Sequence, residues 1–444
     1  MSSSSQIFQA HDPKRWKRFR WSLRILVFIA LFFLVVLAIT LVRGFTPSMP
    51  NLEEKARVYQ EKLDPNNPLT ISQSFNKKYK GFKSFLDKKI KEDSLKSIKS
   101  VVTDENTPIR AAFYTPWTAN TSFPDLEKNG AQLNTIIPEW FFIDSVTQKL
   151  ETRIDSAGLK MMKSRGLKII PILNNFNSKR QAFDGMLLHK ILTDETKQAI
   201  LIQQIVDTLT HYGLQGINID FEDLIEKTNE PLTRFQKALY QKLHERNFLV
   251  TMDVTVKNYD YDYSNLSKYN DYIILMAYDQ HNRSGKAGPI SDQKWIEEAL
   301  DWTAQRIDPE KIILGVAGYG YDWATDEKGK TTAIPISYND AINRAKIKNV
   351  PIDYDNNSYN LHYSYIDEER DSKGITENIK HEIWFTDAAT TFNILRFSDE
   401  YRTAGTALWR LGSEDARMWK YYHRDLSNES LFKYPFDYRS LSVI

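Results

Sequence analysis

Eight short apolar runs, separated by longer polar or amphipathic stretches, restrict the fold of this sequence more than any other feature. They lie at residues 109–114, 133–138, 167–173, 216–220, 249–254, 272–276, 312–316 and 406–409. Several are apolar throughout, which is typical of parallel strands buried on both faces. The stretches between them carry helical patterns, as at residues 196–212. These alternations, without a glycine-rich phosphate-binding fingerprint, predict an α/β fold of the TIM (β/α)8 barrel type rather than an open doubly wound sheet.

The interval between the seventh and eighth runs is too long for a single crossover helix. Within it, residues 331–335, 354–365 and 381–385 have the pattern of strands. We therefore predict a small α+β insertion between strands 7 and 8 of the barrel, at about residues 323–392. We expect it on the face where strands lead into helices, as one wall of a cleft.

Residues 25–42 (ILVFIALFFLVVLAITLV) carry no charge and are long enough to cross a bilayer as one N-terminal transmembrane helix. Basic residues crowd positions 14–24 before this segment, whereas Arg43 alone follows it immediately. This asymmetry predicts a single-pass membrane protein with a cytoplasmic N-terminus and with everything after Arg43 on the periplasmic or extracellular side. A cleaved signal peptide is the alternative. Because no small-residue cleavage site follows the apolar run, we expect an uncleaved signal-anchor.

The predicted organisation has five parts. They are a basic cytoplasmic tail (1–24), the transmembrane anchor (25–42), a stem or linker (43–107), the barrel (108–430) and a C-terminal tail (431–444). The stem is polar and rich in lysine, with apolar residues at roughly helical spacing between positions 82 and 95. Its lysines could contact anionic lipid or glycan, or could simply be a solvated face.

Composition excludes several classes of function. The chain has 59 Lys+Arg against 57 Asp+Glu, so it lacks the basic excess that is usual in nucleic-acid-binding proteins. It has 0 Cys, which excludes disulfides and thiol nucleophiles, and its 8 His show no ligand-pair spacing. We therefore expect neither a metal site nor a cofactor. Aromatic residues make up 13% of the chain, which fits either a well-packed core or a cleft where rings stack on sugars.

The fourth apolar run leads into the most informative stretch, Leu-Gln-Gly-Ile-Asn-Ile-Asp-Phe-Glu at residues 214–222. Side chains alternate along a strand, so Asn218, Asp220 and Glu222 share one face. Polar groups inside a barrel are costly unless they bond to each other or to a ligand, and barrel enzymes place their chemistry at this end of the strands. The neighbouring carboxylate of Asp220 would raise the pKa of Glu222, which suits Glu222 to donate a proton. A polar ladder that only rigidifies the barrel is the alternative.

At this point the chain resembles glycoside hydrolase family 18, the chitinase-like family, in a bacterial membrane-anchored form. The fourth strand of that family reads DGxDxDxE, and this sequence reads QGINIDFE. The resemblance implies a substrate-assisted mechanism in which the acetamide of the substrate attacks the anomeric carbon, an exception to the usual scheme with two carboxylates. It implies that Glu222 is the acid and that Asp220 orients the acetamide.

Other segments resemble the same family. Met276-Ala277-Tyr278-Asp279 is similar to its sixth-strand MxYD motif, whose tyrosine bonds the acetamide oxygen, and Gly-Tyr-Gly-Tyr at 318–321 is similar to its seventh-strand segment. Trp409 lies where the family's eighth-strand tryptophan floors the pocket for the −1 sugar. The resemblance therefore implies that Tyr278 is catalytic. It implies that Met276, Asp279, Tyr321 and Trp409 bind substrate.

Two positions depart from the family pattern. Gln215 replaces the first aspartate, whose role tends to be structural. Asn218 replaces the middle aspartate, which in the family shares a proton with the next one. We expect Asn218 to contact substrate and to donate a hydrogen bond to Asp220, although it cannot take up charge.

Barrel geometry alone offers weaker candidates at the ends of the other strands, for each of which core packing is the alternative. They are Tyr114, Trp117, Glu139, Trp140, Asn174, Asn175 and Asp253. We predict substrate contacts for Tyr114 and Trp140.

These observations predict a membrane-anchored glycosidase that cleaves a β-linked N-acetylglucosamine glycan, such as chitin oligomers, peptidoglycan or an exopolysaccharide. The chain is also similar to the N-terminal module of larger bacterial proteins in which such a barrel is joined to a polysaccharide deacetylase and a membrane glycosyltransferase. That similarity implies partners in polysaccharide synthesis or deacetylation. A lectin-like module without catalysis, which Asn218 favours, and a membrane scaffold are the alternatives.

Overall fold

The computed structural model describes Arg24 and residues 107–116, 121–225, 230–370 and 376–422. The predicted anchor (25–42), the C-terminal tail (431–444) and Trp117 lie outside the described residues, as do the cytoplasmic tail and the stem except for Arg24 and Thr107. Within the described ranges, no helix is long and apolar enough to cross a membrane.

The strands are numbered in chain order. They are β1 (Ile109–Tyr114), β2 (Thr135–Ile143), β3 (Leu150–Thr152), β4 (Lys168–Ile169), β5 (Ile172–Asn174), β6 (Phe176–Asn177), β7 (Ala182–Phe183), β8 (Gly216–Asp220), β9 (Leu249–Thr255), β10 (Tyr272–Met276), β11 (Ile312–Ala317), β12 (Gly320–Thr325), β13 (Thr331–Ile336), β14 (Asp353–Tyr354), β15 (Leu361–Arg370), β16 (Thr376–Phe385) and β17 (Gly405–Trp409).

The helices are α1 (Ser122–Asn129), α2 (Ser156–Ser164), α3 (Gly185–Leu192), α4 (Glu195–Tyr212), α5 (Glu230–His244), α6 (Tyr263–Leu266), α7 (Gln293–Ala304), α8 (Tyr338–Lys348) and α9 (Ala388–Tyr401). Several of these helices have an aspartate as the N-cap residue. Asp155, Asp184, Asp194, Asp292 and Asp387 each accept a hydrogen bond from a backbone N–H in the first turn of α2, α3, α4, α7 and α9. Such a cap satisfies a donor that the helix itself leaves unpaired, so the sequence marks these starting points locally.

Eight parallel strands close into a barrel, in the order β1, β17, β11, β10, β9, β8, β5, β2 and back to β1. This confirms the predicted TIM-type barrel. The third barrel strand is split into β4 and β5 around Pro171, which has no N–H to give to a ladder. The floor of the interior is apolar and is formed by alternating inward residues of six strands. They are Ala111, Phe113, Ile137, Ile172, Ile274, Ile313 and Ala407.

The segment between β11 and β17 forms a separate antiparallel sheet in the order β13, β12, β16, β15, β14. Helix α8 packs against this sheet through Ala341 and Ile342, which share an apolar core with Tyr363 and Phe385. The sheet spans Gly320 to Phe385, so it begins and ends earlier than the bounds of 323 and 392 that the sequence suggested. The reason is that α9, which follows the sheet, packs on β11 and β17 and is a barrel helix.

Candidate active site

Strand β8 carries the central acids at its C-terminal end. Asn218 and Asp220 are buried inside the barrel, 0% and 8% exposed, and Glu222 follows just beyond the strand and is half-buried. The alternate residue Phe221 is buried on the other face, where its ring lies 6.0 Å from that of Phe235 on helix α5. The period of two along the strand therefore brings the three polar residues onto one face, as predicted.

Asn218 bonds to the neighbouring strand instead of to Asp220. Its Nδ2 donates to Oδ2 of Asp253 at 2.8 Å, and its Oδ1 accepts from the hydroxyl of Thr251 at 2.6 Å. The prediction that Asn218 donates a hydrogen bond to Asp220 is therefore wrong. Oδ1 of Asp220 is buried without a hydrogen-bond partner. The cause is the register between β8 and β9, in which Asn218 lies opposite Thr251, so that its amide reaches across the ladder.

Burial controls the protonation of these acids. It raises the pKa of Asp220 to about 7. Burial also holds the pKa of Glu222 well above its usual value, and the charges of Asp220, Asp223 and Asp279 raise it further. Both effects favour the protonated form of Glu222, which is the state that a general acid requires.

The backbone around Glu222 is held by two side chains. Asn175, which follows β5, accepts from the Glu222 N–H at 3.0 Å and donates to its carbonyl at 2.9 Å. The hydroxyl of Tyr261 donates to the carbonyl of Phe221 at 2.8 Å. These bonds replace the ladder where β8 ends, so the acid is attached to rigid neighbours.

Residues after β10 form the opposite side of the site. Tyr278 is 9% exposed, and its ring is stacked near that of Trp409, with centroids 6.4 Å apart. Gly315 on β11 makes room for Tyr278, because a Cβ there would lie 2.9 Å from its Cε1. Burial, followed by the charges of Asp253 and Asp220, holds the pKa of Tyr278 well above its usual value, so it remains a phenol donor. Met276 lies in the same apolar cluster.

Asp279 connects the barrel to the inserted sheet. Its carboxylate accepts from the hydroxyl of Tyr319 and, at 3.3 Å, from that of Tyr321 at the start of β12. Its φ of 57° places it in the left-handed region, which aspartate tolerates better than most residues. Sequence reasoning singled out Asp279 and Tyr321 but passed over Tyr319, although it lies in the same Gly-Tyr-Gly-Tyr segment.

Tyr114 and Trp140 do not line the site, and their prediction as substrate contacts is wrong. Both are 0% exposed. The hydroxyl of Tyr114 donates to Asp155, the residue that caps α2, and its ring contacts that of Trp140 edge to face. Because Phe113 points into the barrel interior, alternation turns Tyr114 outward to the helices.

Glu139 is the inward neighbour of Trp140. It accepts from Nδ2 of Asn174 at 2.9 Å. Burial and then the charge of Asp220 raise its pKa to about 8, while Asn174 and Arg410 act in the opposite direction. The sequence signal for Glu139 was a single carboxylate within an apolar strand. Arg410, which follows β17 directly, was missed.

Comparison with known proteins agrees with this geometry. The sequence pattern of glycosyl hydrolases family 18 matches residues 109–415. The uncharacterized glycosylase YvbX of Bacillus subtilis (strain 168) is 25% identical over 308 residues, which are 67% of this chain and 86% of that protein. The cortical fragment-lytic enzyme of Bacillus anthracis is 29% identical over 260 residues, 56% of this chain and 59% of that enzyme. The chain therefore spans about three fifths of the length of that enzyme.

Solved structures share the fold. The spore cortex-lytic enzyme SleL of Bacillus cereus matches with a TM-score of 0.62 and 23% identity over 71% of this chain and 73% of that chain. A chitinase from Chromobacterium violaceum ATCC 12472 matches with a TM-score of 0.61 and 21% identity over 71% of this chain and 97% of that chain. Since the family pattern spans the barrel from its first strand to beyond its last, this chain belongs to glycosyl hydrolases family 18 and is a glycoside hydrolase.

Proposed function

We propose that this chain hydrolyses a β-linked, N-acetylglucosamine-containing glycan by substrate-assisted, retaining catalysis, in the remodelling of a polysaccharide or cell wall. The observation that carries the proposal is the pairing of a protonated acid with an unsatisfied carboxylate. Burial and nearby charges favour the protonated form of Glu222 at the mouth of the barrel, and Oδ1 of Asp220 is buried below it with no hydrogen-bond partner. A substrate acetamide supplies the N–H that Asp220 lacks.

The proposed first step breaks the glycosidic bond. The acetamide carbonyl oxygen of the −1 sugar attacks C1, the bond from C1 to the leaving oxygen breaks, and the proton of Glu222 moves to that oxygen. The positive oxazolinium ion that forms is stabilised by ionised Asp220 and by the Tyr278 hydroxyl, which donates to the former acetamide oxygen. Trp409, which is half-buried beside Tyr278, forms the floor for the sugar ring.

The second step returns the enzyme to its starting state. Water attacks C1, and its proton goes to the Glu222 carboxylate. The bond between C1 and the oxygen of the oxazolinium ring breaks, which restores the acetamide. Two displacements at C1 leave the anomeric configuration unchanged. Asp279 supports the binding site by holding Tyr319 and Tyr321 of the inserted segment against the barrel.

Turnover of a fluorogenic chitobioside and of a panel of N-acetylated polymers by the detergent-solubilised full chain tests the reaction. Glu222→Gln keeps the shape of the acid but removes its proton, so we expect kcat to fall about 10²–10⁴-fold while binding persists. Glu195→Gln, on the exposed side of α4, is the matched control and should leave kcat unchanged. Equal turnover by the two variants would refute Glu222 as the acid.

The substrate-assisted step has its own test. A β-linked oligomer of N-acetylglucosamine and the same oligomer without acetyl groups differ only in the proposed nucleophile. We expect cleavage of the first with retained configuration, observed by NMR, and no cleavage of the second. Equal cleavage of both with retained configuration would mean that a carboxylate of the enzyme is the nucleophile.

Glycan binding without turnover is the second candidate function, and Asn218 favours it because an amide stands where the family pattern has a carboxyl. Saturable binding of N-acetylated oligomers by the wild-type chain, with no products from any of them, would favour this function over hydrolysis.

We also propose that residues 25–42 hold the barrel on the outer side of the membrane, for the reasons of charge and hydropathy given above. The full chain should then stay with membranes in alkaline carbonate, and protease added outside intact protoplasts should digest the barrel. Release of the chain by carbonate, or protection of the barrel from protease, would contradict this location.

A further inference from the structure

The carboxyl group that the family pattern places on β8 is absent from this chain. Asn218 occupies the position of the middle aspartate of DGxDxDxE. Asp220 therefore has no acidic neighbour two residues earlier on the same face of its strand. An amide can donate and accept hydrogen bonds, but it cannot gain or lose a proton.

A buried carboxyl lies instead on the adjacent strand. Asp253 on β9 is 2% exposed, and its Oδ2 accepts from Nδ2 of Asn218 at 2.8 Å. Ile219 is paired with Met252 in the ladder between β8 and β9, so Asp220 and Asp253 are the next neighbours across the same two strands. Neighbouring strands lie about 4.8 Å apart, so the two side chains are adjacent on the inner face of the barrel, and the charge of Asp220 acts on the carboxyl group of Asp253.

Both aspartates have an unsatisfied oxygen. Oδ1 of Asp220 and Oδ1 of Asp253 are buried and have no hydrogen-bond partner. Two negative charges at this depth would repel each other and would lack solvation, whereas one proton held between the two carboxyl groups removes one charge and satisfies both oxygens.

We propose that Asp253 is a positioning residue that shares a proton with Asp220 and so replaces, from the neighbouring strand, the carboxyl that Asn218 lacks. The inference rests on the proposed function. At rest the proton lies between the two Oδ1 atoms. When the acetamide N–H reaches Asp220, the proton stays on Asp253, and Asp220 becomes the anion that stabilises the oxazolinium ion. No proton enters or leaves the pair.

The surroundings of Asp253 agree with a protonated carboxyl. The titratable groups that face it are Asp220 on β8, Glu222 just beyond that strand, Tyr278 just after β10 and the Tyr261 hydroxyl, with no cation among them. Burial, and then the charge of Asp220, holds the pKa of Asp253 well above its usual value, against the opposing hydrogen bond from Asn218.

Asp253→Asn is the discriminating variant. Its amide oxygen can still accept from Asn218, while its NH₂ group remains a hydrogen-bond donor that cannot lose a proton. We expect the acidic limb of the kcat profile to move to lower pH, because a permanent donor stabilises ionised Asp220. We expect kcat to fall about 10–100-fold, because an amide N–H donates a longer and weaker hydrogen bond to the Asp220 anion than a carboxyl O–H does. The exchange variant N218D/D253N restores one carboxyl and one amide to the pair, and it should recover most of the lost kcat. Asp301→Asn, a buried aspartate on α7 that accepts from Tyr401 at 2.6 Å, is the control and should move neither kcat nor the profile.

A readout without substrate separates this inference from the proposed function. The slope of the unfolding free energy against pH is proportional to the number of protons that the chain takes up on folding. Below neutral pH, Asp253→Asn should lower that number by about one. If wild type turns over no glycan but this slope changes, the proposed function fails, whereas the proton that folding binds at the Asp220–Asp253 pair stands. If Asp253→Asn leaves kcat, the pH profile and the slope unchanged, or if the folded exchange variant recovers nothing, Asp253 is only a hydrogen-bond acceptor and the proposal is overturned.

Discussion

The side chain of Asn175 brackets the peptide groups of Glu222, accepting from its N–H at 3.0 Å and donating to its carbonyl at 2.9 Å. Asn175 is 1% exposed and follows the third barrel strand, whereas Glu222 lies two residues past the end of β8. The backbone of Glu222 is therefore held in place by a side chain that follows the neighbouring strand, because the backbone hydrogen bonds of the sheet no longer hold it there. A residue of this kind affects catalysis through position, without touching substrate.

Asn175→Ala should therefore lower kcat. It removes both hydrogen bonds and leaves a buried N–H and carbonyl unpaired, so we expect kcat to fall about tenfold or more and the protein to lose about 1–3 kcal/mol of stability. Kinetics and urea unfolding measure the two effects separately. Asn270→Ala removes another buried asparagine that makes two hydrogen bonds, outside the site. It should cost similar stability at unchanged kcat, and an equal kcat loss in both variants would contradict a specific role for Asn175.

Asp223→Asn should move the basic limb of the pH profile. Glu222 must be protonated to act, so activity is lost as pH rises through its raised pKa. Burial is the largest cause of that shift, but the charges of Asp220 and Asp223 contribute. Removing the charge of exposed Asp223 lowers the pKa of Glu222, so the limb should move to lower pH, and by less at high salt. Asparagine tolerates the φ of 53° at this position.

Asp207→Asn provides the matched comparison for Asp223→Asn. It removes an exposed charge from the outer surface of α4, where Asp207 accepts from Gln203 at 2.8 Å. Its profile of kcat against pH should coincide with that of the wild type. A limb that moves upward in Asp223→Asn, or that moves equally in both variants, would mean that Asp223 does not act on Glu222.

The sequence located the acids because a polar residue inside an apolar strand is informative, and Asn218, Asp220 and Glu222 alternate with Ile and Phe. The outward turn of Tyr114 and Trp140 was not predictable in the same way. Barrel strands are buried on both faces, so their sequences carry no polarity that tells inside from outside. The link from Asn218 to Asp253 depends on the register between two strands, which no local pattern specifies.

Gly315→Ala tests whether the position of Tyr278 matters. A Cβ at 315 would lie 2.7 Å from the carbonyl oxygen of Leu275 and 2.9 Å from Cε1 of Tyr278, so the ring must shift. We expect about 1–3 kcal/mol of lost stability from overpacking, and a fall of kcat in the protein that remains folded. Gly285→Ala is the control, since the nearest atom to its Cβ is 3.8 Å away. Full kcat in folded Gly315→Ala would show that catalysis tolerates a displaced Tyr278.

A second pair of acids, half-buried Asp125 on α1 and buried Glu414 after β17, should make stability depend on pH. Glu414 is 5% exposed and accepts from the Trp419 indole N–H at 2.9 Å and from the Gly412 N–H at 2.8 Å. Burial, and then the charge of Asp125, raises its pKa to about 8. The folded state therefore binds more protons than the unfolded state between the ordinary pKa of glutamate and about pH 8, so stability falls as pH rises through this window.

Asp125→Asn removes the like charge but keeps the oxygen that accepts from Asn129 at 2.7 Å. The pKa of Glu414 should fall, although burial still holds it above the ordinary value. We expect about 1 kcal/mol more stability at pH 8, a smaller gain or none at pH 5, and a flatter dependence of unfolding free energy on pH between them. Urea unfolding at several pH values measures this, with Asp207→Asn as the control. A variant that is destabilised equally at pH 5 and pH 8 would mean that Asp125 contributes only its hydrogen bonds, because a change in the charge of the pair must alter the slope.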